Sequence, residues 1–221
     1  MLINNKTPLA YGAHLIDYVI GACGIDNSYI LPVNSMHPVL LKDRKTLRNI
    51  RLTFDIEGTD IHTATLYLSE MTALLSGQPE LYLPDGFYYN CILTSVSEAT
   101  KNAPWILTVT FEFVGYRHGD AVTHIITDTA DVNIMGNFPA EPIFKIITDQ
   151  TSYTINDITI NNIDTNYPIV IDGVQKIITQ NGLNKFSDCT LTDFPRLNPG
   201  INTITLSSPA DVKITYEPIY L

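Results

Sequence analysis

Two carboxylates stand two positions apart, Asp55 and Glu57, inside the alternating segment Ile50-Arg51-Leu52-Thr53-Phe54-Asp55-Ile56-Glu57. Residues i and i+2 of a strand share a face. A pair of carboxylates on one face could divide acid and base duty in a hydrolase, one protonating a leaving group and the other activating water. Here Ile50, Leu52, Phe54 and Ile56 fill the opposite, core-seeking face, so the carboxylates read as solvated strand charges. The histidines (His14, His37, His62, His118, His124) are dispersed, and no HExxH occurs. Cys23, Cys91 and Cys189 lack the spacing of a zinc site. The segment Asn161-Asn162-Ile163-Asp164-Thr165-Asn166 has oxygen donors like a calcium loop. It lacks the central glycine and the closing glutamate, and reads as an Asn-rich turn. Gly21-Ala22-Cys23-Gly24 reads as a turn, and GxSxG, P-loop and dinucleotide fingerprints are absent. The expectation is a chain without catalytic residue, cofactor or metal.

Two features point to contacts instead. Lys42, Arg44, Lys45, Arg48 and Arg51 place five of the 13 basic residues within ten positions of an acidic chain. They read either as a solvated loop leading into the strand at Ile50 or as a subunit interface, positive on one protomer and negative on the next. A nucleic-acid patch ranks third, because no aromatic residues interleave. Trp105, the single tryptophan, follows Pro104 at the head of an apolar alternation. It reads as core rather than as a sugar-stacking platform.

The elements that must position these groups follow from composition and period. The chain has 221 residues, 45% hydrophobic and only 16% charged, with net charge −10. Low charge with abundant Thr, Ile, Tyr and Asn suits strands and turns. Twenty-three acidic against 13 basic residues argue against nucleic acid and against an anionic membrane surface. No signal peptide and no apolar run of membrane-spanning length is visible. Three scattered cysteines fit a reducing cytoplasm.

Period two marks a strand from Ile50, ended by Gly58. The period then changes, as Ile61, Ala64, Leu68, Met71 and Leu75 recur every three or four residues. This predicts one helix of about 15 residues, about 22 Å long, capped by Thr59 or Asp60 and closed by Gly77. Leu81-Tyr82-Leu83, the turn Pro84-Asp85-Gly86 and residues 87–96 read as a hairpin. Lys101-Asn102-Ala103-Pro104 reads as another turn, and residues 107–113 as the cleanest strand. A connection is placed between Tyr116 and Asn137, with a short strand at residues 122–126. Ten asparagines lie in the last 90 positions. Short strands are predicted there at residues 143–147, 153–160, 168–171, 174–179, 201–206 and 212–216, the last two as a closing hairpin. The fold class is mainly β in two domains. Residues 1–130 form an α+β unit, a curled antiparallel sheet or split barrel with one helix. Residues 131–221 form an antiparallel β-sandwich or jelly roll.

Certain segments, taken in order, resemble one family. These are Leu2-Ile3-Asn4-Asn5-Lys6; residues 48–56, followed by the helix and the hairpin through Asp85-Gly86; Gly136-Asn137-Phe138-Pro139-Ala140-Glu141-Pro142-Ile143-Phe144-Lys145-Ile146; Ile169-Val170-Ile171-Asp172-Gly173; and residues 194–221. Their order and spacing are similar to the distal tail proteins of long-tailed bacteriophages, the Dit family. The resemblance implies a homo-oligomer, a hexameric ring at the virion tail tip, folded and assembled in the bacterial host cytoplasm. The N-terminal domains would form the ring and galectin-like C-terminal sandwiches would project from it. It also implies partners: the tail tube protein, the tail-tip hub (tail-associated) protein and receptor-binding proteins. DNA would pass through without specific binding. Some relatives carry inserted carbohydrate-binding modules; this chain is too short for one and reads as a minimal connector. Two readings compete. In one the C-terminal sandwich binds cell-wall glycan through Tyr153, Tyr167, Tyr216 and Tyr220; in the other the chain is a hydrolase using Asp55 and Glu57.

Overall fold

The computed structural model describes all 221 residues, in two compact units: residues 1–117 with Leu221, and residues 118–220. The sequence reading placed the boundary at 130. Val122–Ile126 pairs along its whole length with Asp211–Tyr216, which draws it into the second unit.

In the first unit one antiparallel sheet runs in the order Leu2–Ile3, Glu80–Tyr82, Tyr88–Val96, Ile106–His118, Arg48–Glu57, Ala13–Ile20. Its centre follows from period two. Ile50, Leu52, Phe54 and Ile56 are buried, and they face Phe113, Phe111, Val109 and Leu107 of the long neighbouring strand in register. Phe54 and Phe111 meet edge to face, 6.0 Å between centroids, the arrangement favoured by ring quadrupoles. The helix Ile61–Leu75 covers this face with Ala64, Met71 and Leu75 buried. Asp60 caps it, its carboxylate accepting from the Thr63 N–H at 2.8 Å, which satisfies one of the orphan donors of the first turn. Ser76 ends it, and Gly77 follows at φ 84°. Gly58 links strand to helix where only a glycine fits: a Cβ there would lie 2.4 Å from the Ala64 nitrogen.

Two local expectations fail here. Of residues 101–104, read as a turn, the first three belong to the strand Thr100–Ala103, which folds back on Ile106–His118. Trp105, read as core, sits in the turn between them at 45% exposure. Its carbonyl accepts from the Gly58 N–H at 3.0 Å. The strand begins one residue later and its buried face two residues later, at Leu107, so Trp105 precedes the buried face instead of opening it.

The second unit is built around a separate core. A six-stranded sheet runs Val122–Ile126, Asp211–Tyr216, Ile143–Ile147, Ile169–Asp172, Ile177–Gln180, Leu183–Asn184. Ala130–Ile134 with Gly200–Ile204, and Tyr153–Ile155 with Ile158–Ile160 and Cys189–Thr190, form two smaller sheets. All three sheets turn apolar side chains into one cluster, among them Ile134, Phe144, Ile146, Ile155, Ile171, Ile204 and Ile214. That is a sandwich core. Asn181-Gly182 makes the tight turn between Ile177–Gln180 and Leu183–Asn184, with φ of 50° and 73°. Positive φ at both central residues is what a type I′ hairpin demands.

Three further corrections arise. Residues 153–160 form two strands, because Asn156 at φ 51° turns the chain. Residues 130–134, read as part of a connection, form a strand. The predicted closing hairpin does not form: Gly200–Ile204 pairs with Ala130–Ile134, while Asp211–Tyr216 pairs with Val122–Ile126 and Ile143–Ile147. Consecutive strands pair in most folds but not in all; here the two fall in different sheets.

Candidate interaction surfaces

Between Ala13–Ile20 and Arg48–Glu57 the chain continues outward as an arm. The two strands part at Gly21, pair again as Gly24–Ile25 with Lys45–Thr46, and again as Ser28–Ile30 with Val39–Lys42. Neither core cluster includes any residue from 24 to 47. The apolar residues of the arm are nonetheless many: Ile25, Tyr29, Ile30, Leu31, Val33, Met36, Val39, Leu40 and Leu41 are all exposed, with Val33 at 91% and Met36 at 88%. Tyr29 and Ile30 are neighbours on one strand, as are Val39 and Leu40 on the other. Successive strand residues point to opposite faces, so the arm is apolar and bare on both. Monomeric proteins rarely expose a contiguous apolar surface of this kind.

The basic cluster lies at the waist of this arm. Lys42 pairs with Asp26, and Lys45 with Asp43 at 2.9 Å. The Arg44 carbonyl accepts from the Asp26 N–H at 2.8 Å, and its N–H donates to the Asn27 side chain at 3.2 Å. Lys42 and the Arg44 backbone tie one strand of the arm to the other, whereas the Lys45 pair stays within one strand. The exposed pairs stabilise it by about 0–1 kcal/mol each. Arg51 faces Glu112 across the sheet, 3.1 Å apart. Arg48 is 7% exposed and donates to the Gly21 carbonyl at 3.2 Å, where the two strands diverge. Of the five residues, Arg48 is therefore a buried structural group, three are ion-paired within the chain, and Arg44 is exposed. The structure brings Lys42, Arg44 and Lys45 together and sets Arg51 apart from them on the sheet. The sequence signal for the arm lay beside them: Tyr29-Ile30-Leu31 and Val39-Leu40-Leu41 are apolar without alternation.

The other sequence candidates do not assemble a reactive site. Asp55 accepts from the Thr108 hydroxyl, and Glu57 is exposed at the strand end. Asp164 accepts from the Asn166 N–H at 3.0 Å and side-chain amide at 2.8 Å. These hydrogen bonds hold its carboxyl below the usual range, as an Asx turn does. Asp188 is likewise held down by Lys185 and Asn162. Burial pushes the Cys91 thiol up to about 12. His118 is buried, with Nδ1 near the Gly119 carbonyl and the Glu217 carboxylate. His124 stacks on Tyr216 at an interplanar angle of 7°. Among the four tyrosines of the glycan reading, Tyr153 and Tyr216 are buried, with hydroxyls bonded to Ser208 and Met135. Tyr167 is exposed. The four do not present one aromatic platform.

No helix is long and apolar enough to cross a membrane. Residues 135–220 match the family model described as siphovirus-type tail component, C-terminal domain (SPP1_Dit). No curated protein matches the chain. Among solved structures, the chain is similar to SPP1 Dit (gp 19.1), described as a paradigm of the hub adsorption apparatus in phages infecting Gram-positive hosts. The TM-score is 0.74 at 13% identity, covering 100% of this chain and 98% of that one. It is also similar to a chain of the phage p2 baseplate in its activated conformation, at TM-score 0.54 and 12% identity, covering 92% of this chain and 90% of that one. The mainly-β fold of the whole chain is thus the Dit fold.

Proposed function

We propose that this chain, which by its residues 135–220 is a siphovirus-type tail component of the Dit family, is a non-enzymatic structural protein that forms a hexameric ring at the distal tail tip. In this reading the ring joins the tail tube to the tail-tip hub and carries receptor-binding proteins. The observation that carries it is the arm. A two-stranded extension, apolar on both faces and outside either core, is unfavourable for a solitary chain in water and is relieved when a neighbouring subunit covers it. Heterologous contacts of this kind generate a ring when the rotation closes.

The electrostatics agree with a conduit. A hexamer carries 6 × (−10) = −60 formal charges. Wherever these line a channel, DNA is repelled from the wall instead of held to it. Exposed Arg44 at the arm's waist, with Lys42 and Lys45 beside it, offers the positive half of a contact with an acidic neighbour.

The test is the mass of the purified protein together with immunogold labelling of tailed particles released by the source bacterium. The expected results are a mass near six times 24.6 kDa and label at the tail end distal to the head. Label absent from particles, or spread along the tail shaft, overturns the reading.

A further inference from the structure

The outward face of the six-stranded sheet of the second unit carries a pattern that stability does not account for. Lys145 of Ile143–Ile147 and Lys213 of Asp211–Tyr216 are cross-strand partners, so both side chains leave the same face. Both are exposed. Like charges directly opposite each other in a sheet are destabilising. Neither lysine has a carboxylate partner, whereas Lys42, Lys45, Lys176 and Lys185 each have one; Lys6 and Lys101 also lack one, but only Lys145 and Lys213 face each other across a sheet. The chain has 23 acidic residues available for such pairing, and here none forms an ion pair with either lysine.

Four of the side chains next to the pair are aliphatic. Along its own strand Lys145 is flanked on this face by Ile143 and Ile147, and across the sheet by Val170. Lys213 lies opposite Ile125, which is 73% exposed; Ile147 is 51% exposed. Two aspartates share the face. Asp172 spends its Oδ1 on the N–H groups of Val174 and Gln175 in the following turn. Asp211 lies one alternation beyond Lys213, opposite Ile147, and forms no ion pair with it. The result is a pair of ammonium groups in no ion pair, bordered by Ile125, Ile143, Ile147 and Val170, with Asp211 and Thr215 on either side of Lys213 along its strand. Cβ atoms of directly opposed residues lie about 4.5–5.5 Å apart, close enough for one carboxylate to bridge both ammonium groups. A carboxylate flanked by aliphatic side chains fits this surface in both charge and polarity.

We infer that this face docks an acidic, aliphatic-bearing segment of a different tail protein, with one of its carboxylates seated between Lys145 and Lys213. The inference deepens the platform reading and rests on it for the identity of the setting, but the binding chemistry is testable apart from it. The first experiment uses the full chain and a short fluorescein-labelled peptide alternating glutamate with valine, read by anisotropy. The controls are the lysine–valine counterpart peptide and the variant Lys6→Glu/Lys101→Glu, which makes the same charge change elsewhere. Lys145→Glu/Lys213→Glu is expected to weaken binding of the acidic peptide at least about tenfold, the scale of one lost charge-assisted contact. The control variant keeps the affinity within a small factor. Lys145→Gln/Lys213→Gln serves in place of the charge reversal if that variant does not fold. No binding of the acidic peptide, equal binding of both peptides, or equal loss in both variants overturns the inference. In the second experiment, tail particles are treated with a carbodiimide, which joins lysine amines to carboxylates. The expected product is an amide from Lys145 or Lys213 to an Asp or Glu of a different polypeptide. A link only to a second copy of this chain, or both lysines as reactive in particles as in the free protein, overturns it. Particles that lack the chain altogether overturn the tail-tip reading and leave the peptide result to decide the docking chemistry.

Discussion

Consider the chain with Ile30, Val33, Met36 and Leu40 all replaced by serine. These four side chains are 53%, 91%, 88% and 55% exposed, so together they expose the equivalent of about three whole aliphatic side chains. Burying one such side chain is worth about 1.5–3 kcal/mol. If a neighbouring subunit covers the arm, the substitutions remove about 4–9 kcal/mol from each interface. At 1.4 kcal/mol per tenfold, association weakens by about a thousandfold at the lower end. None of the four residues belongs to either core, so the fold of the single chain is untouched. Sedimentation velocity over a wide concentration range reads the first effect, and thermal unfolding at high dilution reads the second. The expected outcome is an oligomeric wild type, a variant that stays monomeric across the same range, and one Tm for both once the wild type has been diluted to monomer. Comparison at dilution matters because association itself raises Tm. A variant that keeps the wild-type mass, or one that melts well below the dilute wild type, refutes the argument that the arm works between subunits and not within one.

Three further outcomes follow from the fold. Phe54→Ala removes a fully buried ring that meets Phe111 edge to face and should cost about 3–5 kcal/mol; Trp105, in the same unit, reports it as a lower urea midpoint in fluorescence, and an unmoved midpoint contradicts the packing. Asp60→Ala removes the helix cap. The carboxyl of Asp60 is held below 3.8 mainly by the Thr63 N–H, so its stabilisation is present above that value and lost as pH falls through the folded pKa. The Tm gap between wild type and variant should be full at neutral pH and close below pH 3.8; a gap that persists in acid excludes the carboxylate as its source. Cys91 is buried, with its thiol pushed up to about 12, so iodoacetamide at neutral pH should leave it unmodified until denaturant is added. Mass spectrometry of native and unfolded protein checks this.

Period was the readable part of this sequence. Ile50, Leu52, Phe54 and Ile56 declare their strand because one face is buried and the other is not, and Ile61 to Leu75 declare the helix by the change of spacing. Pairing was not readable. Alternation in residues 201–206 and 212–216 says which side chains go inward, but a strand carries no local mark of its neighbour. The shortest connection suggested a hairpin, and the fold chose two different partners. Trp105 failed for a related reason, since its position relative to the first buried residue of the strand, Leu107, decided its exposure. The basic cluster was visible as composition, but its role depended on geometry. Arg48 turned inward to the Gly21 carbonyl, while Lys42 and Lys45 found acids within the arm. The arm carries no alternation to mark it. A segment apolar on both faces has none, and resembles a core strand until the absence of a core around it is seen.

Charge and exposed apolar area act on different length scales in this molecule. Each chain carries −10, and that repulsion reaches across about 8–10 Å of electrolyte at physiological salt. The apolar arm acts only at contact. Free chains therefore repel one another before the arms can touch in arbitrary registers, which suppresses the non-specific association that Val33 and Met36 would otherwise invite. In the proposed ring, a correctly oriented neighbour would overcome the repulsion because apolar burial and short-range pairing at the waist, with Arg44 in reach of an acidic surface, act together. The same logic bears on Lys145 and Lys213, which oppose each other across the sheet. In a chain with an acidic surplus, two unpaired cations opposite each other on one sheet face are a place where an acidic partner meets attraction and not repulsion. On the readings proposed above, the arm and the lysine pair divide selection between two kinds of neighbour, a copy of the same chain and an acidic protein of another kind.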